Sequence, residues 1–441
     1  MSRQDQGAAA SPAFYRTAAA LAAAGPEAIP AELTTAGHLI YNSPAALDFN
    51  SPGAQGFGVK RAGLSVPGSI MLLISPPCCG RNTAALSGPG RYGERFAYYE
   101  MDEQDIVTGR HLAKIPEAAA AFVASRKEPP SVLMLCCTCA DALLGTDMER
   151  VARKVEARVG LPVRPCYMYA LTRESVHPPM VQVREAIYSL LSPRPRRATS
   201  VNLLGSFTPW AASSDLYALL RACGIKTIRE LGRAHTYEEF SAMAEANCNL
   251  VLAGEAHAAA VQLAKKLAMP FIELQRFYGP ARIHHQYQAL ARVLGVAIDD
   301  AALYGRARAR LSALRTALGG RRVRLSVGSR LNASPFELAL VLAKCGFAVQ
   351  EIFSVVQPPD LFFLRALADV SPETRVYSNL SPTMAAFPGD APAPDLALGA
   401  DAHFYYPQVP CVLWNDEVQP FGYDALLRLL SAIEHALGGL S

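Results

Sequence analysis

The chain has 441 residues, 51% hydrophobic and 18% charged, with a formal net charge of +4. Such a length exceeds one ordinary core and predicts two or three domains, and the apolar fraction excludes a disordered chain. Membrane and nucleic-acid partners are also excluded: no apolar run approaches the roughly 20 residues of a span, and no basic stripe with stacking aromatics is present.

From the N-terminus, the run Ala18 to Ala24 reads as a helix and not as a signal peptide. This predicts a cytoplasmic protein with reduced thiols. An apolar strand over 69–75 stops at Pro76-Pro77, and Cys78-Cys79 follow at once. A helix is expected over 110–125. A second apolar strand, 131–137, runs into Cys136-Cys137-Thr138-Cys139. Helices over 140–158 and 179–191 flank a strand at 162–168. After the Pro/Arg-rich break Ser192 to Ser200, strands at 200–205, 249–253 and 270–274 alternate with helices at 213–223, 237–247, 255–268, 286–294 and 299–318. Beyond Gly319-Gly320, strands at 322–327, 348–355, 374–378 and 411–414 alternate with helices at 334–345, 359–368 and 422–437. Both Ser213 to Ile225 and Ser334 to Phe347 are helices stopped by Cys-Gly before a strand, one unit used twice. The rhythm predicts an α/β protein of three Rossmann-like domains, with parallel sheets flanked by helices. Their expected limits are 1–192, which carries the clustered cysteines, 198–318 and 321–441.

Five of the ten cysteines lie at the ends of two strands, whose crossover is long enough to make them sheet neighbours. In parallel sheets, ligands bind beyond the carboxyl ends of strands. Thiolates are soft ligands, and in a reducing compartment this grouping points to metal or catalysis before disulfides. Cys78, Cys79, Cys136, Cys137 and Cys139 are therefore the candidate iron–sulfur ligands. Zinc is the competitor, but its usual paired Cys-x₂₋₄-Cys knuckles are missing. Cys166, Cys223, Cys248 and Cys345 stand alone in apolar settings and read as core thiols. Gly88 to Gly93 fits a dinucleotide fingerprint by letter only, since it does not directly follow a strand. The turn Ser326 to Asn332 has the form of an anion-holding strand–loop–helix or a plain βα turn. His177, His284 and His285 fit surface or capping roles more readily than ligation.

With those cysteines in place, the segments Pro77-Cys-Cys-Gly-Arg-Asn-Thr, Met101 to Arg110 and Cys139-Ala-Asp-Ala-Leu-Leu-Gly-Thr-Asp-Met resemble component 1 of nitrogenase and its relatives. Asn202-Leu-Leu-Gly, Cys248-Asn-Leu-Val, Pro270-Phe-Ile-Glu-Leu, Phe277-Tyr-Gly-Pro and Phe421-Gly-Tyr-Asp extend the likeness over nearly all of the chain after about residue 35. The resemblance implies that Cys79 and Cys139 take two cluster-ligand positions. Ser51 stands where the family has its first cluster cysteine. Ala253 and Asn415 stand where nitrogenase holds its molybdenum–iron cofactor with Cys and His. The likeness thus points away from dinitrogen reduction and toward the cofactor-free relatives that reduce tetrapyrroles.

On that resemblance, a [4Fe–4S] or related cluster is expected, completed across a homodimer or a heterodimer with a related component 1 chain. Cys78, Cys136 or Cys137 offer an alternative set within one chain. Electrons are expected from an ATP-hydrolysing iron protein, with ATP bound only by that partner, and a small-molecule substrate in a cleft between the domains. Cleft candidates are Arg276, Tyr278, His284, Trp414 and Asn415. The alternative is a non-catalytic metallocluster assembly or carrier protein of the same fold.

Overall fold

The computed structural model describes residues 13–34, 45, 58–77, 93–168, 177–387 and 392–439. Cys78, Cys79, Ser51 and most of the Gly88 to Gly93 motif lie outside them. Fourteen described strands form three sheets. The first has the order β3 (Phe96–Glu100), β2 (Ser69–Ser75), β4 (Val132–Cys137), β5 (Val163–Tyr167), all parallel. The second has the order β7 (Thr227–Glu230), β6 (Arg197–Leu204), β8 (Ala246–Val251), β9 (Phe271–Glu273), again all parallel. The third has the order β1 (Arg16–Thr17), β12 (Arg375–Tyr377), β11 (Ala348–Phe353), β10 (Arg324–Gly328), β13 (Leu396–Leu398), β14 (Cys411–Val412). It is parallel except for β1.

The chain divides into two compact units. One is Phe57–Trp210 with Gly224–Gln275, holding the first two sheets; the other is Met1–Gly56, Ala211–Cys223 and Arg276–Ser441, holding the third. β2 and β4 are neighbours from Ser69↔Val132 to Ile74↔Cys137, as the crossover length predicts. Both strands are buried along their whole length, which is why they read as continuous apolar runs and not as alternation. Ile70, Leu72, Ile74, Leu133 and Leu135 pack in one core against Ile115, Met148 and Val155. Burial of each such side chain is worth about 1.5–3 kcal/mol.

Several elements differ from expectation. The helix predicted over 140–158 is two, Cys139–Leu143 and Met148–Val159, because Gly145 takes φ 62 and turns the chain. The helix predicted from 286 starts six residues earlier and spans Pro280–Leu294, with Pro280 in its first turn. β3 and β13 were not anticipated. β1 pairs with β12 through Arg16↔Val376, so the first described residues join the last sheet. The helix Ala18–Ala24 follows directly, its Thr17 hydroxyl accepting from Ala20 N at 3.2 Å. The repeated Cys-Gly stop holds: Gly224 and Gly346 take φ 93 and 110 before β7 and β11.

Candidate functional site

The carboxyl end of β4 positions the described cysteines. Successive strand residues face opposite sides of a sheet. Cys137 accordingly joins the core of Ile74 and Leu135, while Cys136 lies on the other face, register partner of Cys166. Both are fully buried. Burial pushes the Cys136 thiol up to about 12 and Cys137 well above the ordinary thiol range. The chain then leaves the sheet through a capping box: Thr138 N donates to Asp141 Oδ2 at 3.1 Å, and the Thr138 hydroxyl caps the helix Cys139–Leu143 in return. Cys139 is the first residue of that helix, partly exposed, and not in a disulfide.

Beneath this rim lies a layer of tied polar groups. His111 Nδ1 contacts Asp105 O at 3.0 Å, and its Nε2 lies 3.5 Å from the Thr146 hydroxyl. Asp105 accepts from Lys114 at 2.5 Å and from Tyr99 at 3.0 Å; the Lys114 bond holds its carboxyl below the ordinary aspartate range. Burial pushes Asp141 up to about 6, against the pull of its Thr138 bond. His111 thus links the helix Glu103–Thr108 to the turn after Leu144. Around that link four apolar side chains face solvent: Val107 (85% exposed), Leu143 (77%), Leu112 and Leu144. Sequence periodicity did not single them out, because scattered apolar residues are ordinary on surfaces. Leu143 and Leu144 close the helix that Cys139 opens, while Val107 and Leu112 lie on the helices either side of the His111 link.

At the carboxyl ends of β6 and β8, Ala253 is partly exposed and leaves no thiol where the resemblance implied a cofactor ligand. Gly205 takes φ 125, and a Cβ there would fall 2.7 Å from the Ala253 methyl. Under Gly205 sits Arg184, fully buried on the helix Pro179–Tyr188. Its Nε donates to Gly205 O at 2.9 Å and its Nη1 to Met180 O at 2.6 Å, with its guanidinium 4.4 Å from the Phe207 ring centroid. Burial lowers its pKa, which Glu255 partly offsets.

The third sheet's carboxyl end is a closed network. Asp401 is fully buried and accepts from Ser329 N (2.8 Å), Ser329 Oγ (3.1 Å), Arg330 N (3.0 Å) and Asn379 Nδ2 (2.7 Å). Gly328 is required beside it, since a Cβ would lie 1.8 Å from Asp401 Oδ1. The turn Ser326 to Asn332 is thus filled by a carboxylate of the chain itself.

Among the cleft candidates, Tyr278, Trp414 and Asn415 come together and His284 does not join them. Trp414 Nε1 donates to Tyr278 OH at 2.5 Å, Tyr278 OH donates to Asn332 O at 2.9 Å, and Asn332 N donates to Trp414 O at 3.0 Å. Trp414 holds φ 48, a strained value for a bulky residue. Asn415 is buried, and its Oδ1 has no hydrogen-bond partner among the described residues. Arg276 acts electrostatically on Tyr278. His284 pairs with buried Asp300 at 2.9 Å and stacks on Tyr304, and His177 pairs with Glu185 at 2.9 Å.

Parallel sheets with a thiol at one strand end define an α/β protein of the kind that binds at its sheet edges. The chain belongs to the nitrogenase component 1 type oxidoreductase family, whose sequence pattern matches residues 54–437. Similar curated proteins include the nitrogenase iron-molybdenum cofactor biosynthesis protein NifE of Rippkaea orientalis, 23% identical over 221 residues, covering 49% of this chain and 45% of that protein. The NifE of a Nostoc species is 24% identical over 269 residues, covering 54% and 52%. The chain therefore spans about half the length of these relatives. Among solved structures, "Nitrogenase Cp1 at pH 6.5" superposes with a TM-score of 0.66 at 15% identity, covering 93% of this chain and 96% of that one, a likeness of fold. Among the described residues, no helix is long and apolar enough to cross a membrane.

Proposed function

We propose that this chain is a cytoplasmic oxidoreductase subunit that takes low-potential electrons from an ATP-hydrolysing iron protein and reduces a small organic molecule of the tetrapyrrole class. The observation that carries the reading is the rim of β4. Cys139 is a partly exposed thiol at the start of a short helix that ends in the exposed apolar Leu143 and Leu144. A bound [4Fe–4S] cluster supplies one-electron storage at low potential. Cys139 and Cys79 are its proposed ligands in this chain. Two thiolates leave a four-ligand cluster half-coordinated, so an identical or related second chain is proposed to supply the rest. Full burial in the sheet counts against Cys136 and Cys137, because a ligating thiolate must be reachable. The exposed apolar side chains of this rim, Val107 and Leu112 included, are proposed to dock the reductase, desolvating a contact close to the thiol. Three separate sheets support a division into three α/β domains, with β1 added to the third, while residues 276–318 cluster with the third sheet and not with the second.

Dinitrogen reduction is not proposed. Ala253 carries no ligand atom, and the amide of Asn415 replaces an imidazole.

A second reading, a metallocluster assembly or carrier protein, is favoured by the curated relatives named for cofactor biosynthesis. Anaerobic purification with iron and sulfide analysis and EPR separates the outcomes. The reductase reading expects a cluster that Cys79→Ser and Cys139→Ser each deplete, together with ATP-dependent oxidation of the iron protein. A cluster without that turnover supports the carrier. Full iron and sulfide in both variants refutes the ligand assignment, and a stable monomer with a complete cluster refutes the shared arrangement.

A further inference from the structure

One short segment sets the sign of the chain's net charge. Residues 301–324 hold seven arginines and no lysine, aspartate or glutamate. Of the 42 basic residues, 35 lie elsewhere, against 38 acidic ones, so the rest of the chain is net negative and this segment alone brings the total to +4. Most of it is the helix Ala301–Leu318, which buries Ala307, Leu314 and Leu318 and exposes the opposite side. Arg306 and Arg310, four apart, share one flank of the exposed side, and Arg308 and Arg315, seven apart, share the other. Arg310 is matched by Glu434, Nη1 to Oε1 at 2.7 Å, and Arg324 by Asp395, Nη2 to Oδ1 at 2.9 Å. Arg306, Arg308, Arg315 and Arg322 are exposed and have no carboxylate partner among the described residues. The Arg308 guanidinium lies instead 5.5 Å from the Tyr304 ring centroid. The helix dipole favours a cation in the last turn, which accounts for Arg315 but not for Arg306 or Arg308. Like charges gathered on one helix repel one another, and an anionic surface laid over them relieves that repulsion.

The dimensions and the chemistry of the face narrow the partner. A helix of this length is about 27 Å long, so one small anion cannot meet both ends. The exposed residues between the arginines are Ala302, Gly305, Ala309, Ser312, Ala313 and Thr316. They offer no aromatic ring to stack on a base and no large apolar side chain to enter a bilayer. Arginine without lysine suits carboxylates, whose two oxygens meet the guanidinium fork. We infer that the helix Ala301–Leu318, with Arg322 just beyond its end, is a docking face for an acidic protein segment, whose carboxylates pair with Arg306, Arg308, Arg315 and Arg322. The inference goes beyond the proposed function and is independent of it: it involves no cluster, no reductase and no substrate.

The test is fluorescence anisotropy of a labelled glutamate oligomer of about ten residues, whose extended length of roughly 33 Å spans the helix, titrated with the full chain. At low ionic strength the oligomer should bind saturably, and added sodium chloride should weaken it. Arg306→Gln, Arg308→Gln, Arg315→Gln and Arg322→Gln combined should weaken binding about tenfold or more, the sum of four exposed pairs. Removing four positive charges elsewhere, with Arg150→Gln, Arg153→Gln, Lys154→Gln and Arg158→Gln on the helix Met148–Val159, should weaken it less than about twofold, because distant exposed charges are screened. Equal losses in the two combinations overturn the inference, as does the absence of saturable binding by the wild type. Tighter binding of a single-stranded DNA of about ten nucleotides, or of phosphatidylserine vesicles, also overturns it and assigns the face to nucleic acid or to membrane. If the fourfold variant does not fold, Arg308→Gln with Arg315→Gln decides: binding about threefold weaker is expected, and undiminished binding overturns the inference.

Discussion

The carboxyl rims of the first and third sheets arise from the same parallel topology and are used in opposite ways. At the first, the charged groups are tied one layer down, through Asp105, Lys114 and His111, and the rim presents a thiol and exposed apolar side chains. At the third, the rim is sealed by Asp401, which four donors hold. The difference teaches that a strand-end position creates only the opportunity for a site. Whether it becomes one depends on whether the protein satisfies that edge with its own groups. The largest effect should appear within the first rim. In cluster-free protein at pH 8, iodoacetamide should label partly exposed Cys139 at least about tenfold faster than Cys136, which is fully enclosed and whose thiol burial pushes up. Peptide mass spectrometry reads both sites, and comparable labelling at pH 8 would erase the division between strand and rim.

Stability should divide the rims the other way. Asp401→Ala strands two backbone N–H groups and the Asn379 amide in the interior, and should cost about 3–5 kcal/mol in a urea melt. Cys139→Ser in cluster-free protein should cost under about 1 kcal/mol. A reversal, with the thiol costly and the carboxylate cheap, would mean that the first rim is structural.

Much of this was legible beforehand, for identifiable reasons. β2 and β4 are doubly buried and announce themselves as apolar runs. β3 (Phe-Ala-Tyr-Tyr-Glu) is a half-buried edge without clear alternation, β13 is three residues in a Pro/Ala-rich stretch, and β1 exists only through pairing with residues some 360 positions away. Period-two alternation puts Cys136 and Cys137 on opposite faces of the sheet, a separation the sequence reading passed over when it grouped both as candidate ligands. Arg184 was not legible: on an amphipathic helix an arginine reads as a solvent residue, and only the approach of Gly205 and Phe207 encloses it.

The exposed apolar side chains of the first rim offer the next contrast. Val107→Asp with Leu143→Asp places two like charges where the reductase is proposed to dock. ATP-dependent electron uptake should fall about tenfold or more, with the melt unchanged to about 0.5 kcal/mol, because neither side chain contributes to a core. Unchanged uptake would move the docking face elsewhere.

The smallest effect belongs to the third rim and tests its redundancy. Ser329 serves Asp401 twice, through N–H at 2.8 Å and through Oγ at 3.1 Å. Ser329→Ala deletes only the hydroxyl. The backbone bond, the Arg330 N–H and the Asn379 amide remain, so the carboxylate keeps three donors. A single neutral hydrogen bond contributes about 0.5–1.5 kcal/mol, and the loss should fall at the upper end of that range, because the acceptor is charged and enclosed. A loss near that of Asp401→Ala would show that the hydroxyl organises the other donors and that the network closes only as a whole. A loss within that range shows a rim sealed by independent contacts. Such a rim can lose one contact and stay closed, whereas the first rim leaves its thiol and exposed apolar side chains without comparable closure by the described residues.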